Sequence, residues 1–247
     1  MILCSFSCLT QNNLVGRTDI EKDNLKGNIK AVKVLNDTLL LAFTEYNKDG
    51  FKQRAIFYNP NGQLRNEIKY IYNEGFLIEQ ISTFADSSKF RTQYKHNGLH
   101  QVIEEVTIFP DNQIDSRIQY EYDKENRVIK RTYIPKNGAS YCNTYEYSAN
   151  FKKEIHCTYG LEYYNELSDG LTVKRTEYMS NGDIHMGYIY EYNQNKDIIL
   201  EIELWNNKET DRIQSSYIYD KKENWIQYSK EWKSGGKSIL KREIEYY

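Results

Sequence analysis

Eight aromatic residues each stand just before a turn: Tyr46, Tyr72, His96, Tyr122, Tyr147, Tyr192, Tyr219 and Tyr246. The steps between them are 26, 24, 26, 25, 45, 27 and 27 residues. A self-similar period of this length marks an architecture built from repeated supersecondary units. At most stations the residue two places earlier is aromatic too, as in Tyr70-Ile-Tyr72, Tyr145-Glu-Tyr147 and Tyr190-Glu-Tyr192. Period-two placement puts both rings on one face of a strand.

Turn chemistry supports that reading. Clusters such as Asn47-Lys-Asp-Gly50, Asn73-Glu-Gly75, Asp123-Lys-Glu-Asn126 and Asp220-Lys-Lys-Glu-Asn224 recur about twice per repeat. Asn, Asp and Gly tolerate positive φ, and Asn and Asp also cap the turn with a side-chain oxygen. Between them, Ile118, Tyr120 and Tyr122 alternate with Arg117, Gln119 and Glu121, and Ile244 and Tyr246 alternate with Glu243 and Glu245. No segment of ten or more residues holds a helical period. The apolar stretch 35–43 fits a strand equally well.

The expected fold is therefore all-β, an antiparallel meander of repeated hairpins. About sixteen arms at ~4.8 Å spacing make a ribbon of roughly 75 Å, and a barrel of that girth leaves an interior too wide for side chains to fill. The expectation is one long, twisted, curled open sheet, with a wide β-barrel as the second choice. Residues 1–20 are read as a leader or disordered segment, and 21–247 as a single repeat domain. The 45-residue interval is expected to hold three arms in place of four, with a bulge or kink at Gly160 in a longer arm over 155–164.

With 33 Lys and Arg against 35 Asp and Glu, the net charge is −2. That balance gives no electrostatic footprint for nucleic acid, and no apolar run reaches the ~20 residues of a membrane-spanning helix. Cys142 and Cys157 flank a turn, but parity argues against a bridge. If Tyr145 and Tyr147 share a face with Ile155 and Cys157, Cys142 points the other way. The four histidines and the cysteines suggest no metal site, and no cofactor is implied. Glu104 and Glu105 are adjacent on a strand, so they point apart and cannot act as a close acid–base pair. Without nucleophile, phosphate-loop or zinc motifs, the chain is expected not to be an enzyme.

The segment Tyr120-Glu-Tyr-Asp-Lys-Glu-Asn-Arg-Val-Ile-Lys-Arg131 resembles a degenerate YD repeat of the RHS kind, and Tyr217-Ile-Tyr-Asp-Lys-Lys-Glu-Asn-Trp-Ile-Gln227 resembles it again. Other units keep Tyr-x-Tyr and replace the Asp, as at Asn73, Ser148 and Asn193. The resemblance covers roughly 40–247. With Leu25-Lys-Gly-Asn-Ile-Lys-Ala-Val32 it is similar to small secreted or lipid-anchored repeat proteins of gut-type bacteria. In large RHS proteins such repeats form a shell around a toxin, for which this chain is too short. The run Met1-Ile-Leu-Cys-Ser-Phe-Ser-Cys8 resembles the end of a bacterial lipoprotein signal with Cys8 as the lipidated residue. It lacks a basic region and carries Ser5 where Leu is usual. A mis-assigned start codon accounts for that, and so does an ordinary frayed terminus.

Two functions follow as expectations. One is a non-enzymatic binding or scaffolding module of the bacterial cell envelope, periplasmic or anchored to the outer membrane through a lipid. The other is a cytoplasmic immunity or antitoxin protein that masks a toxin. Tyr and Trp supply large, stiff recognition area, so Tyr190, Tyr192, Trp205, Trp225 and Trp232 are candidates for a platform that takes a protein or glycan. Packing of the terminal hairpins is the competing role for the three tryptophans.

Overall fold

A computed structural model describes residues 18–247, and it is all-β apart from one helical turn. The strands are β1 (Ile29–Asn36), β2 (Leu39–Tyr46), β3 (Lys52–Tyr58), β4 (Leu64–Asn73), β5 (Phe76–Phe84), β6 (Lys89–His96), β7 (Val102–Ile108), β8 (Ile114–Tyr122) and β9 (Val128–Pro135). They continue as β10 (Tyr141–Tyr147), β11 (Phe151–His156), β12 (Glu162–Ser168), β13 (Leu171–Tyr178), β14 (Ile184–Tyr192), β15 (Ile198–Trp205), β16 (Lys208–Tyr219), β17 (Trp225–Trp232) and β18 (Lys237–Tyr246). Every aromatic station closes a strand or stands one residue from its end.

The pairing overturns the expectation of an open sheet. Strands follow one another in an antiparallel meander, β9 pairs with β10, and β1 takes β2 on one side and β18 on the other. The ladder closes into a barrel of 18 strands. The width estimate weighed how an interior could be filled, whereas closure is decided at the edges. An open sheet leaves two rows of unpaired backbone groups, and β1 satisfies both at once. Its register with β18 runs through Val32↔Ile244 and Lys33↔Glu243, and with β2 through Val32↔Thr44.

The irregular interval also differs from expectation. Four strands, β11 to β14, lie between Tyr147 and Tyr192. The interval is short because β11 and β12 have 6 and 7 residues and the turn after Ser168 has only Asp169 and Gly170 between strands. Gly160 lies in the turn between β11 and β12 with φ 62°, not in a bulged arm.

Five of the station turns, those opened by Asn47, Asn97, Asp123, Asn193 and Asp220, share one device. The residue after the station accepts two backbone N–H groups, two and four residues on. Asn47 Oδ1 takes Asp49 and Phe51 at 3.0 Å each, Asp123 Oδ1 takes Glu125 and Arg127 at 3.0 and 2.9 Å, and Asn193 and Asp220 repeat the pattern. Asn and Asp serve equally, because only a side-chain oxygen is needed. That explains how the Asp of the repeat can change without loss of the turn.

The described residues divide into two compact units, one of residues 18–119, 133–139 and 214–247, the other of 120–132 and 140–213. The first contains the principal core, where Ile20, Leu25, Ile29, Val32 and Tyr46 pack together with Ile244 and Tyr246 against them. Burial of a side chain such as Ile29, 0% exposed, stabilises by roughly 1.5–3 kcal/mol. The helical turn α1 (Asp19–Lys22) contributes Ile20 to this cluster. No helix was expected, yet Thr18-Asp-Ile-Glu21 is a capping box. Thr18 Oγ1 accepts from Glu21 N at 3.3 Å, and Glu21 Oε2 accepts from Thr18 N at 2.8 Å.

Candidate functional site

The station tyrosines are clasps. Tyr147 donates its hydroxyl to Val128 O, and Tyr192 to Thr172 O, both at 2.7 Å. Tyr46 donates to Asp23 and Tyr72 to Asp19, both at 2.5 Å, and Tyr246 donates to Asp220. Asp19 also accepts Lys52 N at 2.8 Å, and Asp23 accepts Lys52 Nζ at 2.9 Å. Burial first, then the neighbouring carboxylates, raises Tyr46 far above the usual phenol range. Burial, the bond to Asp19 and its charge do the same for Tyr72. These hydroxyls hold the fold and are spent on it.

A different arrangement occupies the unit of 140–213. Directly opposed residues on neighbouring strands share a face, and from β10 to β15 the registers assemble two parallel rows. One reads Tyr145, Glu154, Tyr163, Glu177, Met186, Trp205. The other reads Tyr147, Lys152, Asn165, Arg175, Tyr188, Glu203, and Tyr190 stands opposite Glu201 beyond it. The face is an alternation of rings and charges on rigid strands, and all of these side chains are half-buried except Trp205, which is 44% exposed.

The two basic groups are engaged within the face. The Arg175 guanidinium lies 4.6 Å from the Tyr163 ring centre and 3.0 Å from Glu177 Oε1. Lys152 Nζ lies 4.8 Å from the centre of the Tyr145 ring. Such contacts contribute about 0.5–1 kcal/mol at exposed sites. Burial and then Glu154 push Tyr145 up to about 12. Tyr188 is raised by burial, Glu177 and Glu203, and Tyr190 by burial and Glu201, with Arg175 opposing in both cases. Tyr188 and Tyr190 lie nearly parallel, 9° apart with centroids at 6.3 Å. Trp205 packs edge-on to His185 at 4.7 Å.

Of the residues singled out from sequence, Tyr190, Tyr192 and Trp205 belong to this unit. Tyr190 and Trp205 share the face of the rows, whereas the Tyr192 hydroxyl is held by Thr172. Trp225 and Trp232 belong to β17 in the other unit. Trp225 is half-buried under the Arg242 guanidinium, 3.5 Å from its ring centre, with Tyr228 at 5.8 Å. Trp232 closes β17 and is half-buried. Cys8 lies outside the described residues.

Sequence reasoning missed the charged members of the rows, because which charges share the tyrosine face depends on register. The same error misplaced the cysteines. Tyr145 stands opposite Glu154 and Asn143 opposite His156, so odd positions of β10 face even positions of β11. Cys142 and Cys157 are therefore partners, joined by a disulfide with Cα atoms 5.3 Å apart, and Cys157 N donates to Cys142 O at 2.8 Å. The shared-parity assumption failed because the turn after Tyr147 sets an odd register sum.

No protein-family model matches this chain, and no curated protein matches it. Solved structures do. A porin-like protein from Bacteroides uniformis is 10% identical, with TM-score 0.50 over 89% of this chain and 99% of that one. A porin-like protein from Bacteroides vulgatus is 12% identical, with TM-score 0.32 over 89% and 98%. The TcdB2-TccC3-Cdc42 structure is 12% identical, with TM-score 0.41 over 80% of this chain and 12% of that one. At such identities the likeness to the Bacteroides uniformis protein is one of fold: this chain is an all-β barrel similar in fold to that protein.

Proposed function

We propose that this protein is a non-enzymatic binding or scaffolding module of the bacterial cell envelope, of the small YD-repeat kind, whose barrel wall faces water on both sides. The observation that carries this reading is the charge set into mid-strand positions of both faces. An outer-membrane barrel needs a continuous outward apolar band about 25 Å tall. In the unit around β1, the face opposite the tyrosines holds Lys33–Glu243 at 3.1 Å, Arg54–Glu67 at 2.9 Å and Arg117–Glu104 at 3.5 Å, while the tyrosine face receives α1 with Asp19 and Asp23. In the other unit, Lys153–Glu162 and Lys174–Glu166, both at 2.9 Å, mark one face, and Glu154, Glu177 and Arg175 the other. A lipid-facing wall would leave these groups in hydrocarbon.

The disulfide supports the compartment, since such bonds persist in oxidising surroundings and are rare in the cytosol. It tells against a cytoplasmic immunity protein. Attachment through Cys8 remains part of the proposal. The ring-and-charge face of β10–β15 is the surface assigned to binding, because it presents stiff aromatic area on rigid strands.

Fractionation of the native host tests this reading. The expected result is a protein outside the cytoplasm with Cys142 and Cys157 oxidised, whose barrel, once Cys8 is replaced by Ser, is released into buffer without detergent. A cytoplasmic pool with both thiols free, or a Cys8→Ser barrel that still needs detergent, overturns it.

A further inference from the structure

The partner chemistry of the β10–β15 face can be read from its composition, which rests on its assignment above as the binding surface. Residues 120–132 and 140–213 together hold 16 Asp and Glu against 11 Lys and Arg, although the whole chain is nearly balanced. On the face itself Glu154, Glu177, Glu201 and Glu203 stand against Lys152 and Arg175. Arg175 is held by Glu177 and Tyr163, and Lys152 by the Tyr145 ring. Both positive charges are thus engaged from within, although Arg175 Nε is buried without a hydrogen-bond partner. At its β14–β15 end the face carries carboxylates and rings: Glu203 opposite Tyr188, Glu201 opposite Tyr190, and the exposed Trp205 opposite Met186. β16 continues the ladder beyond it, and its Thr210 hydroxyl donates to Glu203 Oε1 at 3.5 Å.

We infer that this end of the face binds a basic polypeptide segment, whose arginine or lysine side chains lie against Tyr188, Tyr190 and Trp205 with their charges toward Glu201 and Glu203. Rings and carboxylates favour the same ligand group. A guanidinium or ammonium is attracted to an aromatic face and makes its stronger hydrogen bonds to ionised oxygen. The protein already displays both halves of this chemistry, at Arg175 on Tyr163 and Glu177. An anionic partner would meet four carboxylates, and a wholly apolar one would strand them without water.

The test uses the intact chain and an oligo-arginine peptide, with titration calorimetry and tryptophan fluorescence as readouts. The expected result is saturable binding that weakens at least tenfold in the Glu201→Gln/Glu203→Gln variant and with Trp205→Ala. A control, Glu243→Gln/Glu245→Gln, removes equal charge from the other unit and should leave affinity within about twofold. Circular dichroism and the unfolding midpoint establish that each variant is folded. Equal weakening by the control, or no binding by the wild-type protein, overturns the inference. A neutral oligosaccharide titrated in parallel separates the two levels. Trp205-dependent binding of the sugar that ignores the Glu changes overturns the basic partner and leaves the binding face standing. Silence toward both ligands removes the face as well.

Discussion

Tyr246 donates its hydroxyl to the Asp220 carboxylate 26 residues earlier, and Asn224 Nδ2 donates to the same hydroxyl at 2.8 Å. The last strand is tied in this way to the turn one repeat before it. Tyr192 with Thr172 and Tyr147 with Val128 make the equivalent tie to a carbonyl. The Tyr246 tie spans 26 residues, one repeat, whereas the two carbonyl ties span 20 and 19 residues and reach the strand within the preceding repeat. Removal of the hydroxyl should therefore cost according to what it serves. Tyr192→Phe is expected to lose about 1 kcal/mol, and Tyr246→Phe or Tyr72→Phe about 1.5–3 kcal/mol, because their acceptors are charged. Urea unfolding of the three variants checks the ranking. Equal losses would mean that the charge of the acceptor does not matter, and no loss in any of the three would mean that the rings, not the hydroxyls, make the clasp.

The disulfide closes a loop of sequence separation 15 at the open end of the β10–β11 hairpin. In the chain-entropy account, a bridge of this span stabilises by about 3 kcal/mol. Here β10 and β11 are already paired through Asn143↔His156. Unfolding free energies with and without reductant should differ by about 2–3 kcal/mol in the wild-type protein and by nothing in Cys142→Ser/Cys157→Ser. A reductant effect that survives in the double variant would remove the bridge as its cause.

Tyr70, Tyr145, Tyr147 and Tyr246 are each pushed up to about 12, with burial the largest cause in every case. An unfolded tyrosine ionises near 10. The folded chain thus binds more protons than the unfolded chain between these values, and stability falls there as pH rises. Below about 10 these groups contribute fully, and above about 12 the contribution is gone. In an alkaline titration, tyrosinate absorbance should rise in step with loss of the β-sheet circular dichroism signal. Ionisation completed in the folded barrel near pH 10 would contradict the burial of the rings.

The aromatic stations, the turns and the strand faces were legible because each is a local pattern of one strand and its cap. Tyr246 ends β18 for the same reason that Tyr122 ends β8. Closure was not legible, since nothing local to Ile29–Asn36 says that both of its sides are paired. The rows of rings and charges and the disulfide were lost at a single step, the register between β10 and β11. Parity within a strand is fixed by the pleat, but parity between strands is set by the turn. The one-residue difference that moved Cys157 opposite Cys142 also placed Glu154 beside Tyr145.

The fourth turn position, three residues after the capping Asn or Asp, is left-handed throughout: Gly50 at φ 84°, His100 at 61°, Asn126 at 65°, Lys196 at 66° and Glu223 at 63°. Only Gly and Asn adopt this region without much penalty, and other L-residues lose roughly 1–2 kcal/mol there. The non-glycine copies differ in what offsets the strain. His100 stacks on Phe76 with centroids 4.1 Å apart, and Glu223 accepts from Lys26 Nζ, whereas Lys196 is an exposed side chain. Lys196→Asn is therefore expected to stabilise the protein by about 0.5–1 kcal/mol, with less gain from Glu223→Asn, which gives up its ion pair. His100→Asn should be neutral or destabilising, because the stacked ring is lost with the strain. Denaturant midpoints of the three variants decide it: a uniform gain would show that strain alone governs these turns, and no gain at 196 would show that the turn relaxes around lysine.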